Sequence, residues 1–153
     1  VTWSPLGFFW GRLSANVEWR IAPHHSIVGV PNALIFQVDR GEKRYLLSEG
    51  FGFASPSSFG GGAELGYHYW FSAEAPLRGW FFGPSLLAGV TTRATAGTTS
   101  RAQGYWGAAL DLGVQEVLGN GFTAGLGGGL GFLHMADTSA IVPRAILQLG
   151  WSF

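Results

Sequence analysis

The chain has 153 residues and a net charge of zero, nine Lys and Arg against nine Asp and Glu, which excludes the general attraction to nucleic acid that a basic surface gives. It has no cysteine, so disulfides, thiolate metal sites and cysteine nucleophiles are excluded as well. Charged residues are only 12% of the chain, aromatics are 15% and glycines number 25, yet no run of about 18 apolar residues offers a transmembrane helix.

The length suits one domain over 1–153. Its segments alternate with a period of two, the signature of strands with one apolar and one polar face. Residues 1–10 form the first predicted strand, with a tight turn at Gly11 and Arg12. A competing reading runs one long kinked strand from 5 to 21, which leaves an odd barrel or a strand supplied by a partner. Val1 opens directly on strand-like sequence, which reads as a mature chain whose export signal, if it had one, has been removed.

Over 13–21, Leu13, Ala15, Val17, Trp19 and Ile21 share one face, and Ser14, Asn16, Glu18 and Arg20 the other. The strand at 26–36 alternates poorly around Pro31 and Asn32 and predicts a bulge there. Over 59–71, Glu64 and His68 oppose Phe59, Ala63, Leu65, Tyr67, Tyr69 and Phe71. Trp70 falls on the polar side, where it would cap the floor of a barrel. The strand at 79–91 sets Trp80, Phe82, Leu86 and Val90 against Gly83, Ser85, Gly89 and Thr91. Over 104–117, Trp106, Ala108, Leu110, Leu112 and Val114 oppose Tyr105, Gly107, Asp111, Gly113 and Gln115. The strand at 122–133 has one face of Phe122, Ala124, Leu126, Leu130 and Phe132, and another of Thr123 and four glycines. Over 141–153, Ile141, Pro143, Ala145, Leu147, Leu149 and Trp151 alternate with Arg144, Gln148, Gly150 and Ser152. Pro84 and Pro143, inside strands, predict local bulges or unpaired positions because proline lacks the ladder donor.

Energy chooses the phase. A charge on a lipid-facing position near mid-bilayer costs about 2–4 kcal/mol for Arg or Lys. One phase hides Glu18, Arg20, Glu64, Asp111 and Arg144 together, and the other exposes them all. A soluble barrel with an apolar lumen would have the reverse pattern. The connections at 22–25, 72–78 and 118–121 are short, and those at 37–58, 92–103 and 134–140 are long or polar. That alternation suits short turns at one end of a membrane barrel and longer loops at the other.

The segment Ile141 to Phe153, IVPRAILQLGWSF, ends an alternating strand on an aromatic residue. With the strand pattern before it, the chain resembles the small eight-stranded bacterial outer-membrane β-barrels, among them the OmpA transmembrane domain, OmpX, OmpW and the lipid A deacylase and palmitoyltransferase barrels. Ser4-Pro5-Leu6-Gly7 and Val17-Glu18-Trp19-Arg20 match the opening strands of small barrels of that kind whose function is not established. The resemblance implies an all-β, antiparallel up-and-down transmembrane β-barrel, integral to the outer membrane of a Gram-negative cell. Membrane lipids and lipopolysaccharide are its implied surroundings. The resemblance specifies no activity, and the residues call for no cofactor and no metal.

Three groups of residues could carry chemistry. Glu18, Arg20, Glu64, His68, Asp111 and Arg144 form a polar interior network, read as ion pairs that plug the barrel; a narrow polar path is the alternative. Arg40, Lys43, Arg44, Arg93 and Arg101 are candidates for lipopolysaccharide phosphates, since a guanidinium matches phosphate in two parallel hydrogen bonds. His134 with Asp137, Thr138 and Ser139 could hydrolyse an ester through a His-activated hydroxyl. The plainer reading is a polar loop, and the His-x-Ser-Asn pattern of the deacylase barrels is not reproduced. His24 and His25 read as solvated turn residues. The apolar stretch within 37–58 could grip a protein partner. The expected role is non-enzymatic, structural or interactive, with a lipid-modifying enzyme or a small-solute channel as alternatives.

Overall fold

The computed structural model describes residues 1–3, 12–34, 58–72, 77–93, 101–135 and 138–153. Eight strands are described: β1 (Thr2–Trp3), β2 (Arg12–Ala22), β3 (His25–Leu34), β4 (Ser58–Trp70), β5 (Gly79–Arg93), β6 (Arg101–Val117), β7 (Phe122–Met135) and β8 (Thr138–Trp151). Each pairs antiparallel with the next, and β8 pairs with β1, so the sheet closes as an all-β up-and-down barrel. Closure leaves no edge strand. Val1 N donates to Trp151 O at 2.6 Å and Trp151 N to Val1 O at 2.9 Å across the closing seam.

The first strand comes from the chain itself. Thr2 pairs with Asn16 on β2 and with Gly150 on β8, so the chain reverses between β1 and β2. An odd barrel or a borrowed strand is not needed. The remainder of the strand expected over 1–10 lies outside the described residues.

The alternation sorts side chains by size and polarity. Leu65, Trp80, Leu86, Trp106, Leu126 and Ile141 stand on the exposed outer face. Ser14, Glu64, Ser85, Asp111, Gln115 and Gln148 are buried in the lumen. Small inner residues make the lumen fillable. The Tyr105 hydroxyl lies over the inner faces of Gly62 and Gly89, where a Cβ on either glycine would overlap it. At Gly129 a Cβ would collide with the Asp111 carboxylate.

One end of the barrel carries tight connections. Ala22 faces His25 across a two-residue turn, Pro23 and His24. In the turn between β6 and β7, Gly121 N donates to Leu118 O at 2.8 Å, and Gly121 takes φ +81°, a conformation that glycine adopts without a Cβ clash. This is the turn end; the opposite end is the loop end.

Three local expectations change, and the one at Pro84 is met by unpaired positions. No register shift occurs at Pro31: β3 pairs with β4 without a break there, and the β2 ladder keeps one register on either side. The shift falls between Arg20 and Ala22 instead. At Pro84 the β5–β6 register is continuous, whereas the β4–β5 pairs skip from Gly66 and Ser85 to Tyr69 and Phe82 without changing register. A missing donor is therefore accommodated by unpaired positions rather than by an extra residue. Pro143 pairs in sequence with Leu130. Finally, the connection expected over 134–140 is largely ladder: Met135 faces Thr138 and His134 faces Ser139, so one loop-end connection is as tight as the turns opposite. Thr and Ser at these positions continue the alternation, and near a rim a polar side chain faces outward at little cost.

Candidate functional site in the barrel interior

β4 and β8 stand four strands apart in the closed ring, on opposite walls. Arg144 projects from β8, and its Nη2 meets Glu64 Oε1 of β4 at 2.7 Å. The bond therefore crosses the lumen. On the way, Arg144 Nε lies 3.2 Å from Asp111 Oδ1 of β6. Ser85 of β5 donates its hydroxyl to the same Glu64 oxygen at 2.6 Å. Three strands thus meet at one guanidinium, and Ser85 ties a fourth to it through Glu64. Arg144 can reach across because Gly129, its register partner on β7, and Gly131 leave the inner wall bare around its stem.

A second cluster fills the turn end. His68 Nδ1 donates to Glu18 Oε1 at 2.9 Å, and Ser26 donates its hydroxyl to the same carboxylate oxygen. Trp70 Nε1 donates to Ser26 Oγ at 2.8 Å, so indole, hydroxyl and carboxylate form one chain of bonds. The His68 ring stacks on Phe81 at 4.4 Å between centroids, and Trp70 packs against Phe81 at 5.2 Å. Trp70 and Phe81 are each 1% exposed. They make a floor whose aromatic bulk sits over Gly113 of β6, where a Cβ would meet the Phe81 ring.

The structure brings Glu64, Asp111 and Arg144 together in one network, and Glu18 and His68 in another. Arg20 is the correction. It is exposed, and its Nε and Nη2 donate to Ala22 O at 3.2 Å and Pro23 O at 3.1 Å. The register shift that follows it and the nearby strand end carry its side chain out to the turn. Trp70 does take the inward, floor-capping position that its parity gives. Ser26 and Phe81 complete the floor without having been singled out in the sequence. Their parity relative to Trp70 and Gly83 was the available signal, hidden for Phe81 because apolar residues occupy both faces of Trp80–Phe81–Phe82.

The histidines of the β2–β3 turn are anchored rather than merely solvated. His24 Nδ1 donates to Trp70 O at 2.7 Å, and its ring stacks on Tyr69. His25 Nδ1 bonds the Tyr67 hydroxyl. At the loop end, His134 Nδ1 and Ser139 Oγ are hydrogen-bonded at 2.8 Å, with Trp106 packed against the imidazole at 5.3 Å. Asp137 lies outside the described residues. So do Arg40, Lys43 and Arg44, and the proposed partner segment 37–58 apart from the backbone of Ser58. The backbones of Arg93 and Arg101 face each other across β5 and β6, in strands rather than in a loop, and their side chains are outside the described set. Among the described residues, no three His, Cys, Asp or Glu side chains group as metal ligands.

Comparison with protein-family models, with curated proteins and with solved structures gives no match. The class is therefore defined by the molecule's own geometry: a closed, eight-stranded, antiparallel barrel with an apolar exterior and a hydrogen-bonded, ion-paired lumen.

Proposed function

We propose that the protein is an integral outer-membrane β-barrel of the OmpA, OmpX and OmpW kind, with a structural or interaction role and a lumen plugged by its own side chains. The observation that carries this reading is the inversion of polarity: leucines at 126 and 130 are 62% exposed, whereas Glu64 and Asp111 are buried and bridged by Arg144. Such an exterior is costly in water and favourable in lipid. Lipopolysaccharide phosphates at Arg40, Lys43, Arg44, Arg93 and Arg101, and a protein partner at 37–58, belong to the same reading. No catalytic step is assigned to the interior, where Glu64 and Asp111 are engaged with Arg144 and Glu18 with His68 and Ser26.

The test is a single lipid-facing charge. Leu130 lies on the outer face between Leu110 and Pro143. Leu130→Arg should destabilise the barrel refolded in phospholipid vesicles by about 2–4 kcal/mol, read from denaturant titration. A position facing water would tolerate the change within about 0.5 kcal/mol, and that result would defeat the membrane reading. Outer-membrane fractionation of cells exporting the chain then checks the location.

One observation favours a second reading, an outer-leaflet esterase: the 2.8 Å bond between His134 and Ser139. Both residues lie on the outward parity of β7 and β8, beside exposed Trp106, where an acyl chain could approach. An imidazole can take the serine proton as the hydroxyl attacks an ester carbonyl, and water then releases the acyl group. If this reading holds, cells carrying the protein show altered outer-membrane acyl composition by mass spectrometry, and both His134→Ala and Ser139→Ala restore the profile. An unchanged profile removes it and leaves the structural role.

A further inference from the structure

We propose that the β2–β3 turn binds the phosphate headgroup of an anionic phospholipid in the membrane leaflet at the turn end. The proposal rests on the membrane reading and adds a ligand to it. Among described side chains, Arg144 is bridged to Glu64 and Asp111, and Arg78 to Glu116 at 2.6 Å. Arg20 has no such carboxylate among the described residues. Its guanidinium is held over the turn by the carbonyls of Ala22 and Pro23, through Nε and Nη2, so one face of it is fixed while Nη1 makes no bond to the described protein. The nearest acid in sequence, Glu18, is occupied inside the barrel by Ser26 and His68.

His24 and His25 complete the turn. A carbonyl only accepts, so the His24 Nδ1 that meets Trp70 O carries a hydrogen, and its Nε2 donates to a phosphate oxygen when the ring is doubly protonated. The ring cannot swing freely, because it is stacked on Tyr69 at 5.6 Å and 13° between planes. His25 is held by Tyr67 and lies edge-on to Tyr69 at 5.6 Å. A guanidinium bonded to the turn carbonyls and two anchored imidazoles therefore lie within residues 20–25, with no free carboxylate beside them among the described residues. The guanidinium is the charge complement of a phosphate, which it meets with charge-assisted, directional hydrogen bonds.

The same end supplies a seat for the rest of a lipid. Trp19, Ile21, Tyr69 and Phe71 stand exposed on the outer face beside the turn. Aromatic side chains favour the depth at which headgroup and acyl chains meet. A soluble phosphate would use only the turn; a phospholipid uses the turn and this apolar flank together, and their shared height on the barrel favours the lipid.

The experiment reconstitutes the full chain with phosphatidylglycerol, phosphatidylcholine or an equal mixture, then counts lipids retained on the released protein by native mass spectrometry. Wild type should retain phosphatidylglycerol over phosphatidylcholine, and Arg20→Gln should lower that preference about tenfold. Because Arg20 also braces the turn, His24→Gln is measured beside it, and a reduced preference is expected there with the turn bonds of Arg20 intact. Glycerol phosphate, which lacks acyl chains, should not compete at equal concentration; full competition would overturn the choice of a lipid. Equal retention of both lipids by wild type, or unchanged preference in both variants, would overturn the site. If wild type shows a heat-sensitive gel shift in every lipid while the preference is absent, only the headgroup site fails. If it inserts in none, the membrane reading and the site fail together.

Discussion

Arg144→Met should cost the barrel about 3–5 kcal/mol, measured as the loss of unfolding free energy in denaturant at constant lipid. The reason is what the substitution leaves behind. Glu64 and Asp111 are buried on strands two apart in the ring, and Arg144 is the cation that bridges them from β8. Methionine fills part of the arginine stem but supplies no donor, so two carboxylates remain in a low-dielectric interior with Ser85 as the described hydrogen-bond donor to one of them. Removing one acid as well should recover part of the loss: Arg144→Met combined with Glu64→Gln should be more stable than Arg144→Met alone. If the single variant unfolds like wild type, the bridge does not hold the walls together and the plugged-lumen reading loses its central contact. Non-additivity in this cycle is itself the signature of a direct contact, because distant substitutions would simply sum.

How far this network could be read beforehand follows from parity. A strand sends alternate side chains to opposite faces. Glu18, Glu64, His68, Asp111 and Arg144 could therefore be assigned to the lumen from sequence as soon as one phase was chosen on energetic grounds. Arg20 shows where the rule stops. It shares its parity with Glu18, but the ladder shifts between Arg20 and Ala22 and the strand ends, so its side chain leaves for the turn carbonyls. In sequence, Pro31 and Asn32 are the better place for a bulge because the alternation fails around them. The barrel instead leaves pairs unmade there and keeps register.

Partner choice was not legible at all. Parity says that Arg144 and Glu64 both face inward, yet not that an arginine on β8 would reach the opposite wall at β4, 80 residues away. That depends on strand stagger around the ring and on bare inner surface at Gly129 and Gly131, which only the closed sheet reveals. The His134–Ser139 bond was obscured for a different reason. HMADTS carries the polar composition of a loop, but β7 and β8 extend into it and set the two side chains directly opposite each other. Composition marks where polar groups are tolerated; hydrogen-bond register decides which of them meet.

Trp70→Ala should be comparably damaging to stability and silent in conductance. The indole is fully packed, lies edge-on to His68 and tilted against Phe81, and donates to Ser26. Large aromatic truncations of this kind cost about 3–5 kcal/mol, and here the loss also strips the Ser26 hydroxyl of a donor beside Glu18. The cavity opens at the turn end only. Farther up the lumen, Arg144 still crosses from β8 to β4. Two barriers in series close the path, so planar-bilayer recordings of Trp70→Ala should remain at baseline even though the protein unfolds at lower denaturant. Open-channel steps in this variant would show that the indole alone seals the barrel, and would move the reading from a plugged barrel toward a gated pore. Stability loss with unchanged conductance instead assigns the floor cluster a packing role and leaves the trans-lumen arginine as the second closure.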